Sequence, residues 1–115
     1  MKRDWKTIKR VLEDVERDVL EERLTSVEGE DEAEYYGHLW LCIDAGLVVG
    51  VEVKTIHKGS WGYSSDVPRL TMSGHDMLGA IRSKTVWTAV KEKAEQAMIP
   101  ISVDLIKAVL VAISR

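Results

Sequence analysis

The chain has 115 residues, 45% of them apolar and 30% charged, with a formal net charge of -3 and a single cysteine, Cys42. This composition suits one globular domain with its own core and excludes disorder, and a lone cysteine excludes an intramolecular disulfide. No stretch approaches the roughly 18 consecutive apolar residues of a membrane span, and the slight acidity gives no general electrostatic pull toward nucleic acid.

Met1-Lys2-Arg3-Asp4-Trp5 runs straight into a charged amphipathic segment, which is not the pattern of a signal peptide. Cys42, between Leu41 and Ile43, reads as a buried thiol, and a reducing cytoplasm is the expected setting. From Asp4 to about Arg23, Trp5, Ile8, Leu12, Val15 and Val19 recur at steps of three and four. Val11 and Leu20 widen this stripe, so the spacing predicts a single helix with Asp4 as N-cap. The charged residues between, Asp14 among them, are expected to form a solvated face, with pairs such as Glu13 and Arg17 at i,i+4.

Leu24 to Glu30 breaks the period; Leu24-Thr25-Ser26-Val27 reads as a short extended piece and Gly29 as a turn. A second helix is expected from Glu30 or Asp31 to Ala45, with Ala33, Tyr36, Leu39, Trp40 and Ile43 on its apolar face and Gly46 ending it. Residues 47–54, rich in valine, read as a strand. Thr55 to Pro68 has the composition of a loop, interrupted by Trp61 and Tyr63, and Arg69 to Met72 reads as a returning strand.

Ser73 as N-cap with Asp76 three residues on approximates a capping box and starts a helix to about Arg82 or Ser83. Another helix spans about Thr85 to Met98, and an apolar one follows Pro100 from Ile101 to Ser114. The fold expected is α+β and mainly helical, a winged-helix-like domain with one β-hairpin and a C-terminal helical extension. It occupies residues 1–115 as a single domain, with a core over 1–83, the hairpin over about 47–72 and a helical arm over 84–115.

Particular residues go beyond pattern. Met1-Lys2-Arg3-Asp4, His38-Leu39, Ala45-Gly46-Leu47-Val48, Arg69-Leu70-Thr71, Gly74-His75-Asp76-Met77-Leu78, Ala80-Ile81-Arg82 and Thr85-Val86-Trp87 form one series. The series resembles DUF2513, a domain-of-unknown-function family of small proteins often encoded in phages and prophages. The resemblance covers nearly the whole chain, is most specific from Arg69 to Trp87, and implies a winged-helix-like fold with no assigned activity and no catalytic residues to carry over. The segment from His38 to Gly74 is also similar to the second half of many bacterial winged-helix regulators. The chain departs from those regulators in one respect: about seven residues, Leu24 to Glu30, separate its first two expected helices, which leaves no room for the helix that normally precedes a recognition helix.

Reactive chemistry finds little support. An enzyme needs a convergent set of groups. Of the three histidines, His38 reads as a core or boundary residue, His57 as a solvated loop residue, and His75 as a structural residue pinning the hairpin to the next helix. Metal-ligand spacings and phosphate-cradling loops are absent from the sequence. The acidic run Glu28, Glu30, Asp31, Glu32 and Glu34 complements a helix N-terminus. The expectation is a protein that is not an enzyme and takes no cofactor or metal.

Two binding readings follow from the charge distribution. Residues 24–53 hold seven acidic and no basic side chains, whereas residues 54–115 hold nine basic and five acidic ones. In the first reading the protein is a phage- or prophage-type accessory protein that contacts a host or phage protein through Glu30, Asp31, Glu32, Glu34, Trp61 and Tyr63. In the second it is a DNA-binding regulator that contacts phosphates mainly through the hairpin, with Lys54, His57, Lys58 and Arg69. The acidic helix disfavours nucleic acid, because phosphate neutralisation dominates affinity for DNA. The C-terminal helices could pair with a second copy or pack within the chain.

Overall fold

The computed structural model describes residues 3–56 and 60–113, apart from the side chain of Glu30. Six helices and one antiparallel hairpin follow in the order α1 (Trp5–Glu16), α2 (Leu20–Ser26), α3 (Glu30–Asp44), β1 (Val48–Thr55), β2 (Trp61–Leu70), α4 (Met72–Arg82), α5 (Lys84–Ala97) and α6 (Val103–Ile113). The protein is therefore α+β and mainly helical. Its backbone forms two compact units, Met1–His75 and Asp76–Arg115.

The single first helix expected over Asp4–Arg23 is in fact two. Asp18 takes a left-handed conformation at φ 60°. Its N–H reaches the Val15 carbonyl at 3.1 Å, and the Val19 N–H reaches the Asp14 carbonyl at 3.0 Å. This is a Schellman ending with aspartate in the place usually held by glycine, so the stop carries no glycine signal and the apolar stripe runs through it uninterrupted.

The consequence is topological. Residues 20–26, expected to hold the end of one helix and a short extended piece, form α2. A turn of Val27, Glu28 and Gly29 then leads into α3. Two helices joined by a short glycine-containing turn are a helix-turn-helix. The missing helix of the winged-helix order is present after all, and α1, α2, α3 and the hairpin supply that order complete.

A polar node joins the three helices. Asp14, expected to be solvated, is buried at 3% exposure. Its carboxylate accepts from the Tyr35 hydroxyl of α3 at 2.6 Å and from Arg23 Nε of α2 at 3.1 Å. Burial, and then the hydrogen bond to Asp14, pushes the Tyr35 phenol above its ordinary range, so the phenol keeps its proton and donates. Around the node Ile8, Val11, Leu12, Val15, Leu20, Leu24 and Leu39 form the core.

His38 is fully buried. Its Nε2 accepts the Asp4 N–H at 2.8 Å, and its Nδ1 lies 2.7 Å from the Glu34 carbonyl. A carbonyl can only accept, so the ring proton sits on Nδ1. The residue ties the start of α1 to α3 and has the core role expected of it. Asp4 caps α1 through the Lys6 N–H and the Thr7 hydroxyl, and the Thr7 bond holds its carboxyl below the usual range.

Gly46 ends α3 in a second Schellman motif, with its N–H on the Ile43 carbonyl and the Leu47 N–H on the Cys42 carbonyl. The hairpin that follows is longer than its composition suggests. Trp61 to Pro68, expected as loop, belong to β2, with Thr55 opposite Trp61, Val53 opposite Tyr63 and Val51 opposite Ser65. The register then jumps, and Val49 faces Arg69. Gly50 sits at this bulge at φ 83°, where a Cβ would strike the Val67 carbonyl oxygen. A two-stranded ribbon buries little of its surface, so serine, glycine and even Pro68 are tolerated in it, and their loop-like composition misleads.

The start of α4 also differs from expectation. Thr71, not Ser73, is the N-cap: its hydroxyl accepts the Gly74 N–H at 3.0 Å and donates to the Gly46 carbonyl at 2.6 Å. The Gly74 backbone approaches Leu47 so closely that a Cβ there would strike the Leu47 carbonyl oxygen. Thr71 and Gly74 thus join the hairpin to the helix, whereas His75 is exposed. In the second unit α5 and α6 pack on each other and bury Val90, Ala94, Leu105, Ile106 and Val109. Ser83 and Ser102 cap these two helices through the Val86 and Leu105 amides.

Candidate functional site

In a helix-turn-helix the second helix is the one presented outward, and here that helix is α3. Asp31, Ala33, Glu34, Trp40 and Asp44 are exposed on it, and Glu32 is half-buried. Tyr35, Tyr36, His38, Leu39 and Cys42 fill its inner side. Burial raises the Cys42 thiol to about 12, which leaves it a protonated core group and not a nucleophile. Trp40 was expected on the apolar face, yet it is 47% exposed. Ala33, expected on the same face, is exposed as well, whereas Tyr36 and Leu39 are buried as expected. Helical periodicity alone does not fix where an apolar arc ends.

The hairpin presents two faces. Strand alternation places Val51, Val53, Thr55, Trp61, Tyr63 and Ser65 on one side. That side meets the helices: Trp61 stacks on Tyr36 with ring centroids 5.9 Å apart and planes 18° apart, and the Ser65 hydroxyl donates to Glu21 of α2. The Tyr36 hydroxyl in turn donates to the Leu24 carbonyl at 3.2 Å, and burial pushes its phenol pKa up. Trp61 and Tyr63 are half-buried and Trp61 is engaged inside the unit. Glu32 and Tyr63 both add to the upward shift of the Tyr36 phenol, so Trp61, Tyr63 and Glu32 lie near the same ring.

The other side of the hairpin carries Glu52, Lys54, Gly62 and Ser64. Lys54 and Arg69 are both exposed, but they belong to opposite ends of the ribbon, about 16 Å apart along β1. His57 and Lys58 lie outside the described residues. Beside the bulge is a groove of ≈ 560 Å³ lined by Ile43, Val48, Val49, Gly50, Val51, Glu52, Ser64, Ser65 and Asp66. Its floor is aliphatic and its charged lining residues are both carboxylates. No local pattern along the chain marks it, since the groove depends on the register jump. Among the described residues no group of three or more histidine, cysteine, aspartate or glutamate side chains is placed to hold a metal ion. No described helix is long and apolar enough to cross a membrane.

Residues 2–100 match the model of a family described as "Hypothetical protein (DUF2513)". A protein of Haemophilus influenzae, described as "Uncharacterized protein", is 29% identical over 115 residues, which is 95% of this chain and 92% of the relative. No solved structure matches the chain.

Proposed function

We propose, for a chain that belongs to the DUF2513 family, that it is a non-enzymatic accessory protein of the phage and prophage type, acting by contact with a basic surface on a host or phage protein. The observation that carries this reading is the charge on the exposed residues of α3. In the position of a recognition helix, α3 exposes Asp31, Glu34 and Asp44, with Trp40 one turn before Asp44, and it contains no lysine or arginine. Negative charge there repels phosphate and attracts a cationic protein surface, raising the association rate. An exposed tryptophan beside it supplies the kind of anchor that dominates interface energetics.

One observation favours a second reading. The helix-turn-helix formed by α2 and α3, followed by a hairpin, is the order of winged-helix regulators that bind DNA, and Lys54 on the hairpin is exposed. Anisotropy of a random duplex, titrated with the protein at about 50 and 200 mM salt, separates the two, since several phosphate contacts would show themselves over that range. The expected result is no binding at the lower salt, together with capture of a host or phage protein by a photo-crosslinking residue at position 33. Duplex binding that collapses with salt and falls on Lys54→Ala or Lys58→Ala would replace the first reading with the second.

A further inference from the structure

The groove beside the hairpin bulge has a chemistry of its own. Ile43 from the last turn of α3 and Val48 and Val49 from β1 make an aliphatic floor, and Glu52 and Asp66 are exposed at its margin. The register jump between Val49 and Val51 creates the arrangement: one residue, Gly50, faces the stretch from Asp66 to Pro68, and the ribbon bends there. Bulges commonly re-aim side chains in this way. The volume of ≈ 560 Å³ falls in the range of ligand clefts, roughly 300–1,000 Å³.

We infer that this groove seats one long cationic side chain, arginine or lysine, presented by an aliphatic segment of the protein partner. The inference rests on the protein-contact reading and adds to it where the partner sits and what it must carry. The methylene stem of such a side chain lies well on valine and isoleucine while its charged head stays near water, within reach of two carboxylates. Anionic ligands are repelled by the same pair. Lys54 follows Glu52 by two residues on the same face, and Arg69 faces Val49 across the ribbon. These two cations bound the groove toward the hairpin tip and toward its base. A polybasic tract would meet them, so a single cation between aliphatic neighbours fits best.

The test is amide NMR of the full chain, titrated with a short acetylated peptide bearing one arginine between valine and leucine residues. Two further peptides carry citrulline, an uncharged near-isostere, or lysine at the same place. The expected result is shifts at Gly50, Glu52, Ser64 and Asp66 with the arginine and lysine peptides. Affinity should fall about fivefold to tenfold with citrulline, or in a Glu52→Gln/Asp66→Asn variant, as expected for two solvent-facing ion pairs. The citrulline peptide needs no variant, so a folding defect cannot mimic the loss. Absence of shifts at these amides, or binding indifferent to citrulline, would overturn the inference. Shifts confined to Asp31 and Glu34 would overturn the groove while leaving the protein-contact reading in place. That reading fails separately, if crosslinking at position 33 captures no protein.

Discussion

Replacing Asp14 with alanine is expected to lower the unfolding free energy by about 3 kcal/mol, a large share of the roughly 5–15 kcal/mol that holds a domain of this size. The carboxylate is almost fully buried and receives two donors from two different helices. Arg23 is about one-third exposed and can turn to water once its partner is gone. Tyr35 cannot, because it is 2% exposed, and its hydroxyl would be left buried without an acceptor. Tyr35→Phe removes only the donor and is expected to cost less, about 1–2 kcal/mol. Urea denaturation of both single variants and the double variant measures the coupling directly. A loss below about 1 kcal/mol for Asp14→Ala would mean that the three-helix node does not hold the unit together.

Burial of two ionisable groups, Tyr35 and Cys42, sets the response to alkali. The Tyr35 phenol is raised in the folded state from an ordinary value of 10.0, and the Cys42 thiol is raised from 9.0 to about 12. Groups whose folded pKa lies above the unfolded one contribute stability at low pH and lose it as the unfolded chain begins to ionise. Stability should therefore decline from about pH 9 upward, and Tyr35→Phe should decline less steeply above pH 10.

Two glycines of one helix are expected to respond to alanine with opposite signs. In α4, Gly79 faces open space, and Gly79→Ala should stabilise the protein by up to about 1 kcal/mol, because alanine is the better helix former. Gly74 lies in the same helix, and its backbone carries no positive φ. By propensity alone it should behave identically. Its added Cβ, however, would strike the Leu47 carbonyl oxygen and stand 3.2 Å from the Leu70 Cβ. Backbone cannot rotate away as a side chain can, so the helix would have to move off the hairpin and strain the Thr71 bonds to Gly46 and Gly74. Gly74→Ala is expected to cost about 3 kcal/mol or more, as for severe overpacking. Thermal melts of the two variants side by side suffice; destabilisation of both, or of neither, would contradict the packing described.

Much of this architecture could be read along the chain. The stripe of Ile8, Leu12 and Val15, the Gly46 ending of α3, the valine-rich β1 and the helices on either side of Pro100 follow from periodicities and stop residues that act over a few positions. Local propensity decides such features, and they are legible because the physics is local. The resemblance from Arg69 to Trp87 rested on residues whose reason became visible only in the fold: Thr71 and Gly74 are the joint between helix and hairpin.

Features that depend on a partner distant in sequence were not legible. Asp18 could end α1 because aspartate tolerates a left-handed backbone, and only that break makes room for α2 and completes the helix-turn-helix. Asp14 reads as a surface charge until Arg23 and Tyr35, nine and 21 positions away, meet it. Trp61 reads as loop until Tyr36 gives it a ring to stack on, and the groove of Ile43, Glu52 and Asp66 exists only because Gly50 lets the two strands change register. The positions of α3, β1, α5 and α6 and the acidity of α3 follow from the chain's own residues, since these rest on backbone preference and on charge content. Which polar groups are buried, which aromatics face water and where a partner could sit were decided by tertiary contacts, because burial depends on what arrives from elsewhere in the chain.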